Sequence, residues 1–509
     1  MAGILLTVRP SNADLLGGVH HLGRLLAVVG YSMLAPLAVG VALREWRSVT
    51  ALATSVGVTL LVAALLERLQ RPEVAPRLTW GTGAATVAVT WLVAPAFGTL
   101  PLWLTGVYSS GLDAYFDGVS ALTTSGLSLA LDLDHLPQSL NLWRHLMQFL
   151  GGQGIVIVAF ALATSSGGNL STLSSVEGRQ EPILPNVVTT ARFIARVAGT
   201  YLAFGTLALW AALLAGGFTP VRGLLHAADL AMAAFSTGGF APMSTSVGYY
   251  HSISTELVLS VLMLAGAASF HLHFQLWRHG PHEITRNSEF RTMVVTLTTL
   301  TAATVVGLAA TGTYHDVEAL LRKGAFTALS AHTTTGFAVV AGPAYETQWG
   351  VLVPALLVIA MAIGAMGAST GGGIKVVRVM LAAKAVGEEI RRALLPDAAV
   401  VVSRYHAGQR RLLSDRAIRS ATLVGLLFLG TYLLGSLVAL GYGYGLEQAL
   451  FESTSATATI GLTSGLLAPD IPALLKVTYI VQMWLGRLEF MACFVLAGYL
   501  LTILRTRRP

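Results

Sequence analysis

The chain has 509 residues, of which 54% are hydrophobic and only 11% charged; ordinary soluble domains carry about 25% charged residues, so a water-soluble globular fold is excluded and a lipid bilayer indicated. The net charge of +7 does not point to nucleic acid, because most basic residues fall between apolar stretches, where the cytoplasmic loops of membrane proteins carry them. A single cysteine, Cys493, excludes disulfides within the chain and Cys-rich metal sites.

Crossing ~30 Å of hydrocarbon takes about 20 apolar residues, and ten runs approach or exceed that length: 15–43, 50–67, 80–104, 143–164, 193–217, 255–278, 291–311, 351–383, 417–442 and 474–504. The segment before the first run lacks the charged start and short core of a cleaved signal peptide, so the first run is expected to be a permanent span. Between the third and fourth runs, and again between the fifth and sixth, seventh and eighth, and ninth and tenth, lies a shorter segment ending in Thr-x-Gly. The four copies are Thr124-Ser125-Gly126, Thr237-Gly238-Gly239, Thr334-Thr335-Gly336 and Thr459-Ile460-Gly461. Ten residues before each glycine stand Phe116, Asp229, Phe326 and Phe451, and six before stand Ser120, Ala233, Ser330 and Ser455. Three of the copies thus share Phe, Ser, Thr and Gly in one register.

This spacing predicts an all-α polytopic membrane protein: two N-terminal helices (1–70), then four span, loop, span repeats (71–178, 179–284, 285–398 and 399–509) in pseudo-fourfold symmetry around a central pore. Segments such as Tyr115 to Leu122 and Phe326 to Ser330 are too short to cross and read as re-entrant half-membrane helices, since irregular backbone at that depth must be buried in protein or face water. Of the 32 Lys and Arg residues, 22 lie in 68–78, 165–196, 278–291, 375–419 and 505–508, whereas the four segments carrying Thr-x-Gly hold five. The loops are therefore expected to enter from outside, with both termini cytoplasmic; Arg44 and Arg47 run against the rule. Eleven acidic residues in those outer segments, among them Asp113, Asp117, Asp132, Asp134, Asp229, Glu447 and Glu452, predict a negative mouth that concentrates cations.

A dehydrated cation crosses a bilayer only where oxygen dipoles replace its water, and backbone carbonyls of a strained loop supply them without full charge. Glycine permits backbone angles that a Cβ forbids, and the threonine adds a hydroxyl oxygen and a stiff support. The middle residue varies, as expected if its carbonyl is what matters. Gly371-Gly372-Gly373 breaks the eighth run in mid-membrane; its likeness to a phosphate loop fails because Ile374 separates Gly373 from Lys375. Arg487 lies within the tenth run, where an isolated cation costs at least ~2.5–3.5 kcal/mol, so it must face water or a partner, with Glu489 or helix-end carbonyls as the structural options. His271 and His273 read as packing residues at a helix end, and His332 as a hydrogen-bonding residue of the third re-entrant helix. No Ser/His/Asp or paired-carboxylate arrangement has a catalytic spacing. An intramembrane enzyme would leave the fourfold Thr-x-Gly register without purpose.

Several stretches together resemble the Trk/Ktr/HKT superfamily of potassium transporters, most closely its bacterial TrkH branch. They are Leu122 to Gly126, Trp143-Arg144, Leu150 to Ile155, Ser236 to Phe240, Thr333 to Phe337, Gly367 to Lys375 and Leu485 to Glu489, covering the chain from about residue 80 to its end. The fourth loop, Thr459 to Thr463, is more similar to the KtrB form. The resemblance implies a selectivity filter for potassium built from the four Thr-x-Gly loops, potassium as the transported ion, no organic cofactor in this chain, and either channel-like conduction or symport. It implies a homodimer in the bacterial inner membrane and a separate cytosolic nucleotide-binding ring of the TrkA type. It further implies a gate formed by Ser369, Thr370, Gly371, Gly372, Gly373 and Lys375 beneath the filter, with Arg487 as a barrier to cations. Relatives that prefer sodium carry serine at the first filter glycine; Gly126 favours potassium, the alternative being a sodium or weakly selective transporter of the same fold.

Overall fold

The computed structural model describes residues 12–69, 80–130, 132–165, 187–396, 399, 401–407 and 409–505. Asn12–Ser32 continues through Leu34–Leu43, and Trp46–Arg68 returns antiparallel beside it. Glycines set the spacing: a side-chain carbon on Gly23 would lie 2.8 Å from the Ala63 carbonyl, and one on Gly30 2.8 Å from Leu60. At the corner, Arg44 takes a left-handed conformation (φ 60°) and Glu45 turns inward. Its carboxylate accepts the Gln138 and Ser139 backbone N–H groups at 2.9 and 3.0 Å, capping the helix Gln138–Ser165, where unpaired N–H groups and the helix dipole both favour an anion.

Four units follow, each with an outer helix, a short pore helix and an inner helix. The first has Trp80–Gly98, pore helix Gly111–Leu122 and inner helix Gln138–Ser165; the second Val187–Ala215, Pro220–Phe235 and Ile253–Ala267. The third has Ser288–Thr311, then Phe326–His332 led by a wider π-helical turn (Leu320–Ala325), then Leu352–Ile363; the fourth has Asp415–Gly441, Leu446–Thr457 and Ala473–Arg487. Among the described residues, six helices are long and apolar enough to cross a bilayer, or eight counting two bent pairs as one span each.

Those bent pairs correct two of the ten expected straight spans. The sixth breaks between Ala267 and Phe270 and turns by 97°, and the tenth breaks between Arg487 and Met491 and turns by 112°. The eighth is interrupted, as the glycine run predicts: Leu352–Ile363 ends at Gly364, residues 364–375 form an irregular loop, and Val376–Leu394 resumes as a separate helix. A two-stranded antiparallel hairpin, Arg404–Ala407 with Gln409–Leu412, is the one strand pairing among the described residues and was not anticipated.

Inner helices cross pore helices at glycines because nothing larger fits. A side-chain carbon would lie 2.0 Å from the Leu122 oxygen at Gly151, 2.2 Å from the Phe235 oxygen at Gly266, and 1.7 Å from the Thr457 oxygen at Gly486. Each of those oxygens belongs to the residue four before its loop's Thr-x-Gly glycine, so three crossings share one register.

Candidate ion pathway

All four pore helices end in the same way. In the first, the Thr124 N–H donates to the Ala121 carbonyl (3.0 Å) and the Ser125 N–H to the Ser120 carbonyl (2.8 Å). The equivalent pairs are Thr237 to Ala234 with Gly238 to Ala233, Thr334 to Ala331 with Thr335 to Ser330, and Thr459 to Ala456 with Ile460 to Ser455. This is the Schellman arrangement of helix C-termini, whose left-handed position is usually glycine. Here threonine occupies it, at φ 55°, 50°, 58° and 54°. A β-branched residue there is strained by about 1–3 kcal/mol, so the surrounding structure must hold each one in place. Two residues later the glycines sit at φ 74°, 74°, 86° and 102°.

The loops close on one another head to tail. A side-chain carbon on Gly126 would lie 2.5 Å from the Gly238 oxygen, one on Gly239 2.0 Å from the Thr335 oxygen, one on Gly336 1.8 Å from the Ile460 oxygen, and one on Gly461 2.7 Å from the Ser125 oxygen. Each glycine therefore abuts the middle carbonyl of the next loop, and the fourth returns to the first. The twelve residues singled out in sequence are brought into one ring, and glycine is required at the seams by backbone on both sides. Four helix C-termini converge here, each equivalent to about −0.5 of an elementary charge and together roughly −2, which favours a cation at the ring.

On one side the ring opens into a cavity of about 550 Å³ lined by Gly126, Gly239, Gly336 and Gly461 and by the residues that follow them. The expected negative mouth is not its lining. No carboxylate lines this cavity among the described residues, and Arg144 does. Four of the eleven acids, Asp113, Asp117, Asp229 and Glu452, are buried and serve inside the protein instead. Asp117 is buried; its Oδ2 accepts from the Tyr108 hydroxyl (2.5 Å) and Arg144 Nη2 (3.1 Å), its Oδ1 from the Leu129 N–H (2.9 Å). Glu452 is buried and accepts from the Thr463 hydroxyl (2.5 Å) and the Ser464 N–H (2.8 Å). Both carboxylates stand nine residues before a Thr-x-Gly glycine and both hold the N–H three after it, so they tie the segment leaving the ring back to the pore helix in the first and fourth units. Asp113 pairs with Lys476 at 2.5 Å, and Asp229 is buried with His145 at 3.8 Å. At the exposed rim Asp132 keeps a hydrogen bond from His135, which holds it below the ordinary carboxylate value. Asp117→Ala strands the buried Arg144 guanidinium, and is expected to cost about 3–5 kcal/mol of stability, read as unfolding of the detergent-solubilised protein.

On the opposite, threonine side, residues 364–375 lie against three of the four loops. The Gly372 N–H donates to Thr334 Oγ1 (2.8 Å) and the Thr370 hydroxyl meets the Thr237 hydroxyl (3.2 Å). A side-chain carbon on Gly372 would lie 2.2 Å from both the Ala458 oxygen and Thr459 Oγ1, and one on Gly371 2.6 Å from Thr334 Oγ1. The loop is anchored to the bend of the second unit by Met366 N–H to Ala267 O, Thr370 N–H to Gly266 O and Phe270 N–H to Ala368 O, while Ser369 Oγ turns back to its own Met366 carbonyl. Lys375 Nζ donates to the Gly371 carbonyl.

Arg487 takes neither of its two expected structural options: it bonds carbonyls, but of the 364–375 loop and of mid-helix Gly151 and not of helix ends. Its Nη1 donates to the Thr370 carbonyl (2.7 Å) and its Nη2 to the Gly151 carbonyl (2.8 Å), spanning from the fourth unit to the loop and to the first unit. Glu489 pairs instead with Arg378. His273 Nε2 bonds the Ala265 carbonyl (2.9 Å), which accounts for it as a packing residue, and His332 Nε2 bonds the Thr296 hydroxyl (2.8 Å), which accounts for it as a hydrogen-bonding one.

A second repeat escaped the sequence reading. Three residues before each crossing glycine, or before Gly364 in the third unit, stand Gln148, Met263, Met361 and Met483. Each belongs to the packing around the Thr-x-Gly loop of the following unit: Gln148 against Gly238, Met263 in a cluster with Phe337, Met361 with Ile460 and Leu462, and Met483 with Leu127. The spacing Met-x-x-Gly was available as a signal, and was hidden because methionine and glycine are ordinary in apolar helices.

A single chain that folds four Thr-x-Gly loops into one closed ring, with apolar spans around it, is a membrane pore protein of the cation-transporting kind. The TrkH family, described as cation transport protein, matches residues 53–502, and the chain belongs to that family. It is 30% identical over 503 residues to the Trk system potassium uptake protein TrkH of Halomonas elongata, covering 93% of this chain and 96% of that one. It is 28% identical over 488 residues to an uncharacterised cation transporter of Methanocaldococcus jannaschii, covering 96% of each. The crystal structure of the potassium transporter TrkH from Vibrio parahaemolyticus superposes with a TM-score of 0.81 at 25% identity, over 95% of this chain and 98% of that one. The protein is thus a multi-pass membrane cation transporter and not an enzyme.

Proposed function

We propose that the chain takes up potassium through the ring formed by Thr124 to Gly126, Thr237 to Gly239, Thr334 to Gly336 and Thr459 to Gly461, with 71–178, 179–284, 285–398 and 399–509 each supplying one wall. The observation that carries this is the head-to-tail closure of the four loops, which sets four middle carbonyls at equivalent seams. Ions enter from the 550 Å³ cavity, exchange water for carbonyl oxygens, and meet residues 364–375, which act as the gate; selectivity rests on the number and field strength of the carbonyls. Arg487 bolts the gate through the Thr370 carbonyl and places a cation beneath the ring. The potassium uptake proteins to which the chain is similar support potassium as the cargo. The cavity faces outward and the termini inward in a bacterial inner membrane, where the charge bias of the loops puts them. The working form is a homodimer whose gate answers to a cytosolic nucleotide-binding ring on separate chains.

Growth of a potassium-uptake-deficient bacterium at limiting potassium tests the function directly: expression of the chain, alone or with its cytosolic partner, restores growth, and failure under both conditions refutes it. Gly126→Ser introduces a side chain that meets the Gly238 oxygen at 2.5 Å and the Ile460 oxygen at 3.0 Å. It is expected to widen the ring and lower potassium over sodium preference by about tenfold, roughly 1.4 kcal/mol, in tracer uptake by proteoliposomes. An unchanged preference would place the selective step elsewhere.

A further inference from the structure

The four walls of the ring are not equivalent. Behind three of them the middle residue of the filter triplet supplies its own side chain. The Ser125 hydroxyl bonds Thr123 Oγ1 (2.8 Å), the Thr335 hydroxyl bonds Thr333 Oγ1 (3.0 Å), and Ile460 is buried among apolar side chains. In the second loop that residue is Gly238, and the space is taken by Gln148 from the first unit: a side-chain carbon on Gly238 would lie 2.5 Å from Gln148 Cδ and 2.6 Å from its Oε1. The glutamine is wholly buried. Its Nε2 donates to the Gly238 carbonyl at 2.5 Å, while its Oε1 accepts the Phe240 N–H at 3.2 Å. One donor and one acceptor, each meeting its complement, fix the amide orientation. At the equivalent positions of the other inner helices stand Met263, Met361 and Met483, which have no N–H to give.

The Gly238 oxygen is also the one that abuts Gly126 across the seam. We propose that Gln148 is a selectivity-determining positioning residue that tunes the second wall of the filter through the Gly238 carbonyl, biasing the ring against sodium. The proposal rests on the ring being the selective element. An N–H donated to a carbonyl draws on its lone pair and weakens the field it offers an ion; it also fixes the oxygen in place, so the wall cannot close in on a smaller cation. Both effects disfavour sodium, which needs closer and stronger ligands to repay its tighter hydration.

Gln148→Met makes the second unit like the other three, and Gln148→Leu likewise removes the donor at similar volume without adding a charge. Both are expected to lower potassium over sodium preference by about fivefold, the equivalent of one ordinary hydrogen bond, read as sodium competition with potassium-tracer uptake in proteoliposomes. A second measurement does not need transport: the concentrations of potassium and of sodium chloride that half-maximally stabilise the purified protein against heat, whose ratio should shift by the same factor. A variant that keeps the wild-type ratio, or that loses stability equally in both salts, overturns the proposal and leaves Gln148 a packing residue. If the wild-type protein itself shows no preference, it is the assignment of the ring as a potassium filter that fails.

Discussion

Gly336→Ala should abolish selective uptake while the protein still reaches the membrane. Its φ of +86° suits glycine alone, and the added carbon would lie 1.8 Å from the Ile460 oxygen, 2.6 Å from its carbonyl carbon and 3.0 Å from the Gly461 Cα. Every one of those atoms is backbone, so no side chain can swing aside and the third and fourth walls must separate. Left-handed strain and overpacking together cost roughly 2–5 kcal/mol, which predicts a fall in potassium uptake of about thirtyfold or more. The matched control is Gly430→Ala, where nothing lies within 4 Å and the change in mid-helix should be neutral or favourable. Selective uptake by Gly336→Ala at the control's rate would refute the ring as the conducting element.

Arg487→Ala should have the opposite sign and raise flux. Its guanidinium holds the Thr370 carbonyl of the proposed gate and the Gly151 carbonyl of the first unit. Hydrogen bonds from a charged donor contribute about 1.5–3 kcal/mol each. Losing the one that reaches the gate therefore shifts the closed to open ratio by about tenfold to a hundredfold. The remaining anchors, Met366 N–H to Ala267 O and Thr370 N–H to Gly266 O, stay in place, so the loop is loosened rather than unfolded. Tracer uptake without the cytosolic partner is the sensitive measurement, because only there does the closed state limit the rate. Unchanged uptake would make Arg487 a structural strut.

Much of this architecture was legible because it is written four times. A Thr-x-Gly on its own is helix packing; four in register, three of them with Phe and Ser upstream, specify a closed ring, and the contacts of Gly126, Gly239, Gly336 and Gly461 follow that register around the circle. The break in the eighth span was legible because three consecutive glycines cannot hold a helix. The bends of the sixth and tenth spans were not. At the latter, Glu489 and Phe490 adopt φ of 51° and 70° although neither is glycine; Gly486 beside them is taken up by the crossing with Thr457, and the conformation is held by a distant partner, Arg378. The acids were misplaced for a related reason. Composition counts Asp117 and Glu452 as part of an outer segment, and nothing local reveals that each is consumed by an N–H twelve residues further along. Gln148 was invisible because its meaning depends on a gap left by Gly238, ninety residues away.

Covalent fusion of the four quarters has a consequence for how such a ring can change. In a ring assembled from identical subunits every substitution arrives in four copies, and a modest defect is multiplied at once. Here it arrives in one, so a single quadrant can be retuned while its three fellows preserve the aperture. The Ser, Gly, Thr and Ile at the middle positions, and the lone glutamine among methionines behind them, are what a dose of one permits.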